Sequence, residues 1–104
     1  MVTYSHHING KEVKTDSGKT FATINPTNEK PLDYFQQGAA HDVEKAVKAA
    51  SEAYKKWPNI PAPHRGEILL EVARILRKKK QELGELVSTE MGKILKEGLG
   101  DVQE

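Results

Sequence analysis

The chain has 104 residues, of which 37% are hydrophobic and 30% charged, so it has the size and composition of one small globular domain. Its net charge of +1 gives no general attraction to nucleic acid or to a membrane surface. It contains no cysteine, which excludes disulfides, cysteine-based zinc sites and a cysteine nucleophile within these residues. The first residues lack the apolar run of a signal peptide, and no stretch has the length of a membrane span. We therefore expect a cytoplasmic chain that binds neither nucleic acid nor membrane.

Residues 1–38 are predicted to form a β-hairpin region of strands and turns. Asn9-Gly10 is a strong signal for a two-residue hairpin turn, because both residues tolerate a positive φ. Asn25-Pro26 marks the end of a later strand, since proline cannot donate to a strand ladder. The predicted strands are short and cover residues 4–8, 11–13, 21–24 and 32–36.

Residues 39–104 have the hydrophobic period of amphipathic helices. The first helix is predicted from residue 41 to Trp57, with the carboxylate of Asp42 in its first turn, and Pro58 stops it. The second is predicted to begin near Pro63, because proline suits the first helical turn. A bend or break is predicted near Lys80.

Beyond this break the pattern predicts two further helices. One ends at Met91, because Gly92 is a good residue for a C-terminal cap. The other begins after Lys93, and its apolar stripe still continues at Val102 without a glycine, asparagine or proline to close it. The chain is therefore expected to be a truncated piece of a longer protein.

The three to four helices present more apolar surface than two hairpin strands can cover. One interpretation is that a larger sheet, absent from these residues, packs against the helices. The alternative is a self-sufficient small α+β interaction or oligomerisation module without catalysis, which buries its stripes in its own core or in a homo-oligomer. Such a module must offset about 1–2 kcal/mol of backbone entropy per residue.

Three features are interpreted as structural rather than functional. The basic run at Arg74 and residues 77–80 is predicted to be a solvated helix end, because no aromatic side chain for base stacking lies nearby. The four histidines are predicted to be ordinary surface residues, since no pair has zinc-site spacing. Gly98-Leu99-Gly100 follows no strand and is predicted to be a close helix contact rather than a nucleotide loop.

Taken in chain order, a set of short landmarks resembles the start of an aldehyde dehydrogenase. The ordered set spans nearly the whole chain, and the segments 60–67 and 100–104 are most similar to the semialdehyde branch, which includes α-aminoadipic and α-ketoglutaric semialdehyde dehydrogenases. The landmarks are Ile8-Asn9-Gly10-Lys11, Phe21-Ala22-Thr23-Ile24-Asn25-Pro26, Asp42-Val43, Ala46-Val47, Ala49-Ala50, Trp57, Arg65-Gly66-Glu67-Ile68-Leu69 and Glu90-Met91-Gly92-Lys93.

The resemblance implies an α/β fold for the intact protein, in which residues 39–104 are the helical part of an N-terminal cofactor domain. It implies oxidation of an aldehyde or semialdehyde to a carboxylic acid, with NAD or NADP as the hydride acceptor, and a homo-oligomer. The family's catalytic cysteine, general-base glutamate and dinucleotide-binding strands lie further along than these residues. No catalytic and no cofactor-binding residue is therefore assigned here, and the 104 residues alone are expected to be inactive.

The resemblance also implies a structural sodium or potassium ion. Its predicted ligands are the backbone carbonyls of Thr23 and Ile24 and the carboxylate of Glu90. Such hard cations prefer oxygen ligands. A further ligand would come from outside these residues, so the site within the chain is expected to be incomplete.

One position departs from the family pattern at the start of the first helix. Relatives often place serine or threonine where Ala39 stands, as a helix cap. Without that hydroxyl, Asp42 is expected to cap the helix itself, and a lost cap costs on the order of 1 kcal/mol.

Overall fold

The computed structural model describes residues 1–104, which divide into two compact units. The first unit comprises Met1–Thr23 and Pro31–Ile60. The second comprises Ile24–Lys30 and Pro61–Glu104. None of the helices combines the length and the apolar character needed to cross a membrane.

The first unit contains a three-stranded sheet. β1 (Thr3–Tyr4) pairs in parallel with β5 (Pro31–Gln36), and β4 (Thr20–Ile24) neighbours β5 on its other side. The predicted strand 32–36 is therefore the central one.

The predicted strand 4–8 is interrupted at Ser5, where the structure separates β1 from the next strand. The cause is a long-range pairing, since Tyr4 is the register partner of Phe35 and its ring stacks on that of Phe35 with centroids 5.1 Å apart. Phe21 stacks on the same ring from β4, at 5.9 Å. Stacked pairs of this kind stabilise neighbouring strands.

The second sheet of this unit is the predicted hairpin. β2 (His6–Ile8) and β3 (Lys11–Val13) pair antiparallel. Asn9 and Gly10 form the turn with φ of 54° and 73°, as a two-residue hairpin turn requires.

The first helix, α1 (Ala40–Tyr54), ends three residues before the predicted limit at Trp57. Trp57 instead begins a 3₁₀ turn, Trp57–Asn59. The reason is local, because Pro58 has no N–H to donate to the Tyr54 carbonyl and its ring would clash with that carbonyl in a continued α-helix.

The second unit contains three helices, α2 (Ala62–Lys78), α3 (Lys80–Met91) and α4 (Leu95–Gln103). The predicted break is confirmed at Lys79, the single residue between α2 and α3. The predicted cap is also confirmed, since Gly92 has a φ of 75° and its N–H donates to the carbonyl of Ser88.

The tightest packing in this unit joins α3 and α4 through glycines. A β-carbon at Gly98 would lie 2.5 Å from the carbonyl oxygen of Gly84 and 2.5 Å from Oγ of Ser88. A β-carbon at Gly84 would lie 2.6 Å from Cδ2 of Leu99. The prediction that Gly98 marks a close helix contact is thus confirmed. An ion pair between Lys93 and Asp101, 2.6 Å long, also links α4 to the segment before it.

The turn Ile24–Lys30 contains an unusual backbone conformation. Glu29 has a φ of 58°, although it carries a side chain. Its N–H donates to the carbonyl of Asn25 at 2.8 Å, and the N–H of Asn25 donates to the carbonyl of Lys30 at 2.9 Å. These bonds hold Glu29 in the left-handed region.

No hydrophobic side chain is buried in either unit. On α1, Val43 and Val47 are each 59% exposed, and on α2, Leu69 and Leu70 are 62% and 66% exposed. Both helices therefore keep apolar side chains in contact with solvent, as predicted from the excess of apolar surface.

Candidate functional site

The predicted cation ligands lie at the ends of two elements. Thr23 and Ile24 are the last residues of β4, and Glu90 is the penultimate residue of α3. The Thr23 hydroxyl is buried without a hydrogen-bond partner, and none of the ion pairs found in the second unit involves Glu90. All of these groups are oxygen donors, which suits a hard cation. No group of three or more histidine, aspartate or glutamate side chains is arranged to hold a metal ion.

A buried polar cluster lies at the first turn of α1. Asp42 and Thr15 are only 5% and 6% exposed. Oδ2 of Asp42 accepts the hydroxyl of Thr15 at 2.8 Å and the N–H of Ala39 at 2.9 Å. Ala39 is the cap residue of α1 and contributes no side-chain hydrogen bond, so the expectation that Asp42 would itself be the cap is corrected. From the third helical position Asp42 accepts the Ala39 N–H, which is one half of a capping box. The Ala39 N–H, and after it the Thr15 hydroxyl, hold the pKa of the Asp42 carboxyl below its usual value because both hydrogen bonds favour the charged form.

This cluster also connects α1 to the three-stranded sheet. The N–H of Thr15 donates to Oε1 of Gln36 at 3.0 Å, and Gln36 ends β5. No sequence pattern indicated this role of Thr15 between β5 and α1. The two contacts span 21 and 27 residues of chain, which local patterns cannot reveal.

His6 corrects the prediction that all four histidines are ordinary surface residues. It is half-buried, and its Nε2 is buried without a hydrogen-bond partner, whereas His7 is exposed. The difference arises because successive strand residues point to opposite faces. A β-carbon at Gly38 would lie 3.4 Å from Cε1 of His6, so the ring rests against a position without a side chain.

Three clefts lie between the β2–β3 hairpin and α1, with volumes of about 620, 410 and 220 Å³. Ile8 lines all three, opposite alanines of α1. Lys45 and Lys48 stand at the rim of the largest cleft, and Lys45 is paired with Asp16 at 3.4 Å.

The remaining candidates behave as polar surface. In the basic run, Arg74 pairs with Glu71 at 2.8 Å, and Nζ of Lys80 donates to Oε1 of Gln103 at 2.9 Å. The run covers the end of α2 and the start of α3, as predicted for a helix end.

Comparison with known proteins gives a consistent set of matches. A family model described as the aldehyde dehydrogenase family matches residues 13–104. Aldehyde dehydrogenase family 7 member A1 of Malus domestica is 42% identical over 97 residues, which are 93% of this chain and 19% of that protein. Alpha-aminoadipic semialdehyde dehydrogenase of Bos taurus is 46% identical over 87 residues, which are 84% of this chain and 16% of that protein.

Solved structures agree with these matches. A 3,6-anhydro-L-galactose dehydrogenase in complex with NAP superposes with a TM-score of 0.93 and 37% identity, over 97% of this chain and 21% of that one. NADP-dependent glyceraldehyde-3-phosphate dehydrogenase of Bacillus halodurans, complexed with NADP, gives a TM-score of 0.93 and 26% identity, over 97% of this chain and 21% of that one. The chain thus spans about a fifth of the length of the proteins it matches.

Proposed function

Because the chain belongs to the aldehyde dehydrogenase family, we propose that it is the N-terminal part of an NAD(P)-dependent aldehyde dehydrogenase. In the proposed reaction, an aldehyde and water become a carboxylic acid, and the nicotinamide cofactor takes up the hydride. The observation that carries this proposal is the match over residues 13–104 together with a TM-score of 0.93.

We propose a semialdehyde as the substrate class. The support comes from relatives named alpha-aminoadipic semialdehyde dehydrogenase in Bos taurus and Rattus norvegicus, each 46% identical. The use of NAD or NADP is supported by related structures that contain these cofactors. The proposal assigns none of the substrate or cofactor contacts to these 104 residues, which contain no cysteine to act as the nucleophile.

The proposed role of the chain is structural. Val43 and Val47 on α1, and Leu69 and Leu70 on α2, are more than half exposed. Complete burial of each such side chain would contribute about 1.5–3 kcal/mol. We propose that the rest of a protein about five times as long covers these faces. The 104 residues alone are proposed to be inactive, because they contain no cysteine to act as the nucleophile.

The proposal includes a monovalent cation held by the carbonyls of Thr23 and Ile24 and the carboxylate of Glu90. The oxygen-only donor set and the absence of ion pairs to Glu90 within its unit support it. A homo-oligomer, which the family resemblance implies, and a cytoplasmic location complete the proposal.

The test begins with the mass of the protein in its natural source, measured after isolation with an antibody against these residues. A mass several times 11.6 kDa, together with NAD(P)H production from a panel of semialdehydes, is the expected result. The purified 104-residue chain, tested in parallel, should give no NAD(P)H. A mass of 11.6 kDa for the naturally occurring protein would refute the proposal of a longer parent enzyme. NAD(P)H production by the 104-residue chain would refute the proposal that it is inactive.

The self-sufficient interaction module remains the second candidate. It is favoured by the exposed apolar residues of α1 and α2, which would also suit self-association. Thermal unfolding and sedimentation of the 104-residue chain at several concentrations distinguish the two. Cooperative unfolding of a monomer at dilute concentration would support the module, whereas disorder, aggregation or concentration-dependent melting would support the dehydrogenase segment.

A further inference from the structure

The β2–β3 hairpin is held to the rest of the first unit by few close contacts. A two-stranded hairpin is at best marginally stable by itself in water. Its natural support is α1, yet three clefts of about 620, 410 and 220 Å³ remain between them. These clefts are open to solvent along the surface between the hairpin and α1. The hairpin therefore has room to move towards the helix.

Two residues that line the smallest of these clefts each carry a buried polar atom without a hydrogen-bond partner. Oδ2 of Asp42 already accepts two hydrogen bonds, but Oδ1 is buried and accepts none. Nε2 of His6 is buried and also has no partner. Both residues line the cleft of about 220 Å³, one from β2 and the other from α1. They are not joined by an ion pair within 4.0 Å.

Buried polar atoms without partners are costly, because each has lost its hydrogen bonds to water. Oδ1 of Asp42 can accept a hydrogen bond, and Nε2 of His6 can donate one when the imidazole carries its hydrogen on that nitrogen. The neighbouring charged side chains lie beside Asp16 and do not occupy Oδ1 of Asp42. Lys45 is engaged by Asp16 at 3.4 Å, and His41 lies 3.6 Å from the same carboxylate.

We propose that His6 and Asp42 form a latch, in which the hairpin closes onto the first turn of α1 and Nε2–H of His6 donates a hydrogen bond to Oδ1 of Asp42. Closure satisfies both atoms and narrows the clefts beside Ile8. The structure describes the open form. The cap on Ala39 and the bond to Thr15 use the other oxygen, so they persist in both forms.

Amide hydrogen exchange of the hairpin tests the latch. His6→Phe keeps a ring but removes the donor, and His7→Phe on the exposed face is its matched control. Loss of the latch should raise exchange at Val13 and Lys11 about five- to tenfold in His6→Phe, because exchange reports local opening. The control should stay within twofold of the wild type. Exchange within twofold in His6→Phe as well would refute the proposal.

A double variant separates the latch from independent effects. Asp42→Ala should accelerate hairpin exchange, and His6→Phe added to it should have no further effect, because each substitution alone removes the same hydrogen bond. Effects that multiply would refute the pairing. Because Asp42→Ala also removes the hydrogen bonds to Ala39 and Thr15 at the start of α1, Thr15→Val provides a second background. It leaves Oδ1 intact, so His6→Phe should there retain its five- to tenfold effect, and loss of that effect would also count against the latch.

Discussion

Gly98 on α4 lies so close to Gly84 on α3 that a β-carbon on Gly98 would stand 2.5 Å from the Gly84 carbonyl oxygen. The obstacle is backbone, which cannot rotate away as a flexible side chain could. The same added carbon would meet Oγ of Ser88 at 2.5 Å. The approach of the two helices therefore depends on the absence of a side chain at this crossing.

Gly98→Ala should lower the free energy of unfolding by about 1–3 kcal/mol, as overpacked sites do. Gly100→Ala on the same helix is the matched control, since a β-carbon there meets nothing within 4 Å. Alanine is the better helix former, so this control should gain up to about 1 kcal/mol. Urea unfolding of the two variants measures both effects. Equal stability of the two variants would contradict the close approach of α3 and α4 at Gly98.

Ala39→Ser should stabilise the chain by adding a helix cap. Ala39 has φ −111° and ψ 174°, the extended conformation of a cap residue, but its methyl group accepts no hydrogen bond. A serine hydroxyl would accept an N–H of the first turn, and the expected gain in unfolding free energy is about 0.5–2 kcal/mol. Ala40→Ser, one position into the helix, is the control and should give no gain. A gain from Ala40→Ser equal to that from Ala39→Ser would contradict the capping explanation.

Asp42 should make the chain sensitive to acid. Folding lowers the pKa of its carboxyl, chiefly through the Ala39 N–H, so its charged form stabilises the folded state. That contribution is complete above the unfolded pKa of about 3.9 and is lost as the pH falls through the lower folded pKa. The stability difference between wild type and Asp42→Asn should therefore shrink below about pH 4.

Urea midpoints from pH 7 down to pH 2.5 measure this difference. Thr15→Val removes one of the two donors to Asp42. The stability difference between wild type and Thr15→Val should therefore show part of the same pH dependence. A difference between wild type and Asp42→Asn that stays constant over the whole range would show that the carboxylate charge has no role.

Glu90→Gln should reduce the stabilisation of the chain by sodium or potassium. A cation that binds only the folded state at a hundredfold above its Kd stabilises it by about 2.7 kcal/mol. Thermal unfolding in potassium chloride is compared with choline chloride at equal ionic strength. Glu85→Gln is the control, because Glu85 already accepts a hydrogen bond from Gln81 at 2.7 Å. An equal effect of potassium on wild type and on Glu90→Gln would show that Glu90 is not a ligand of the cation.

The features predicted correctly from the sequence are those set by local chemistry. The turn at Asn9 and Gly10, the break next to Lys80 and the cap at Gly92 each depend on one or two residues and their immediate neighbours. The hydrogen bond from the Ala39 N–H to Asp42 is equally local, since the two residues are three apart, although Ala39 and not Asp42 is the cap residue.

The features that were missed depend on contacts between distant parts of the chain. The pairing of Tyr4 with Phe35 divides one predicted strand into two and places β5 in the centre of a sheet. Thr15 meets Asp42 across 27 residues, and the His6 ring rests against Gly38 from a distant part of the chain. No local pattern encodes these contacts. The cation ligands Thr23, Ile24 and Glu90 remain a prediction from the family resemblance.

Because Glu29 has a left-handed conformation, the turn between β4 and β5 is a place where a substitution can stabilise the chain. A residue with a side chain costs about 1–2 kcal/mol in this region of φ, and asparagine tolerates it better. Glu29→Asn would release part of that strain without altering the exposed apolar residues of α1 and α2. Stability could thus be improved in this turn while the surfaces available to the remainder of a dehydrogenase stay as they are.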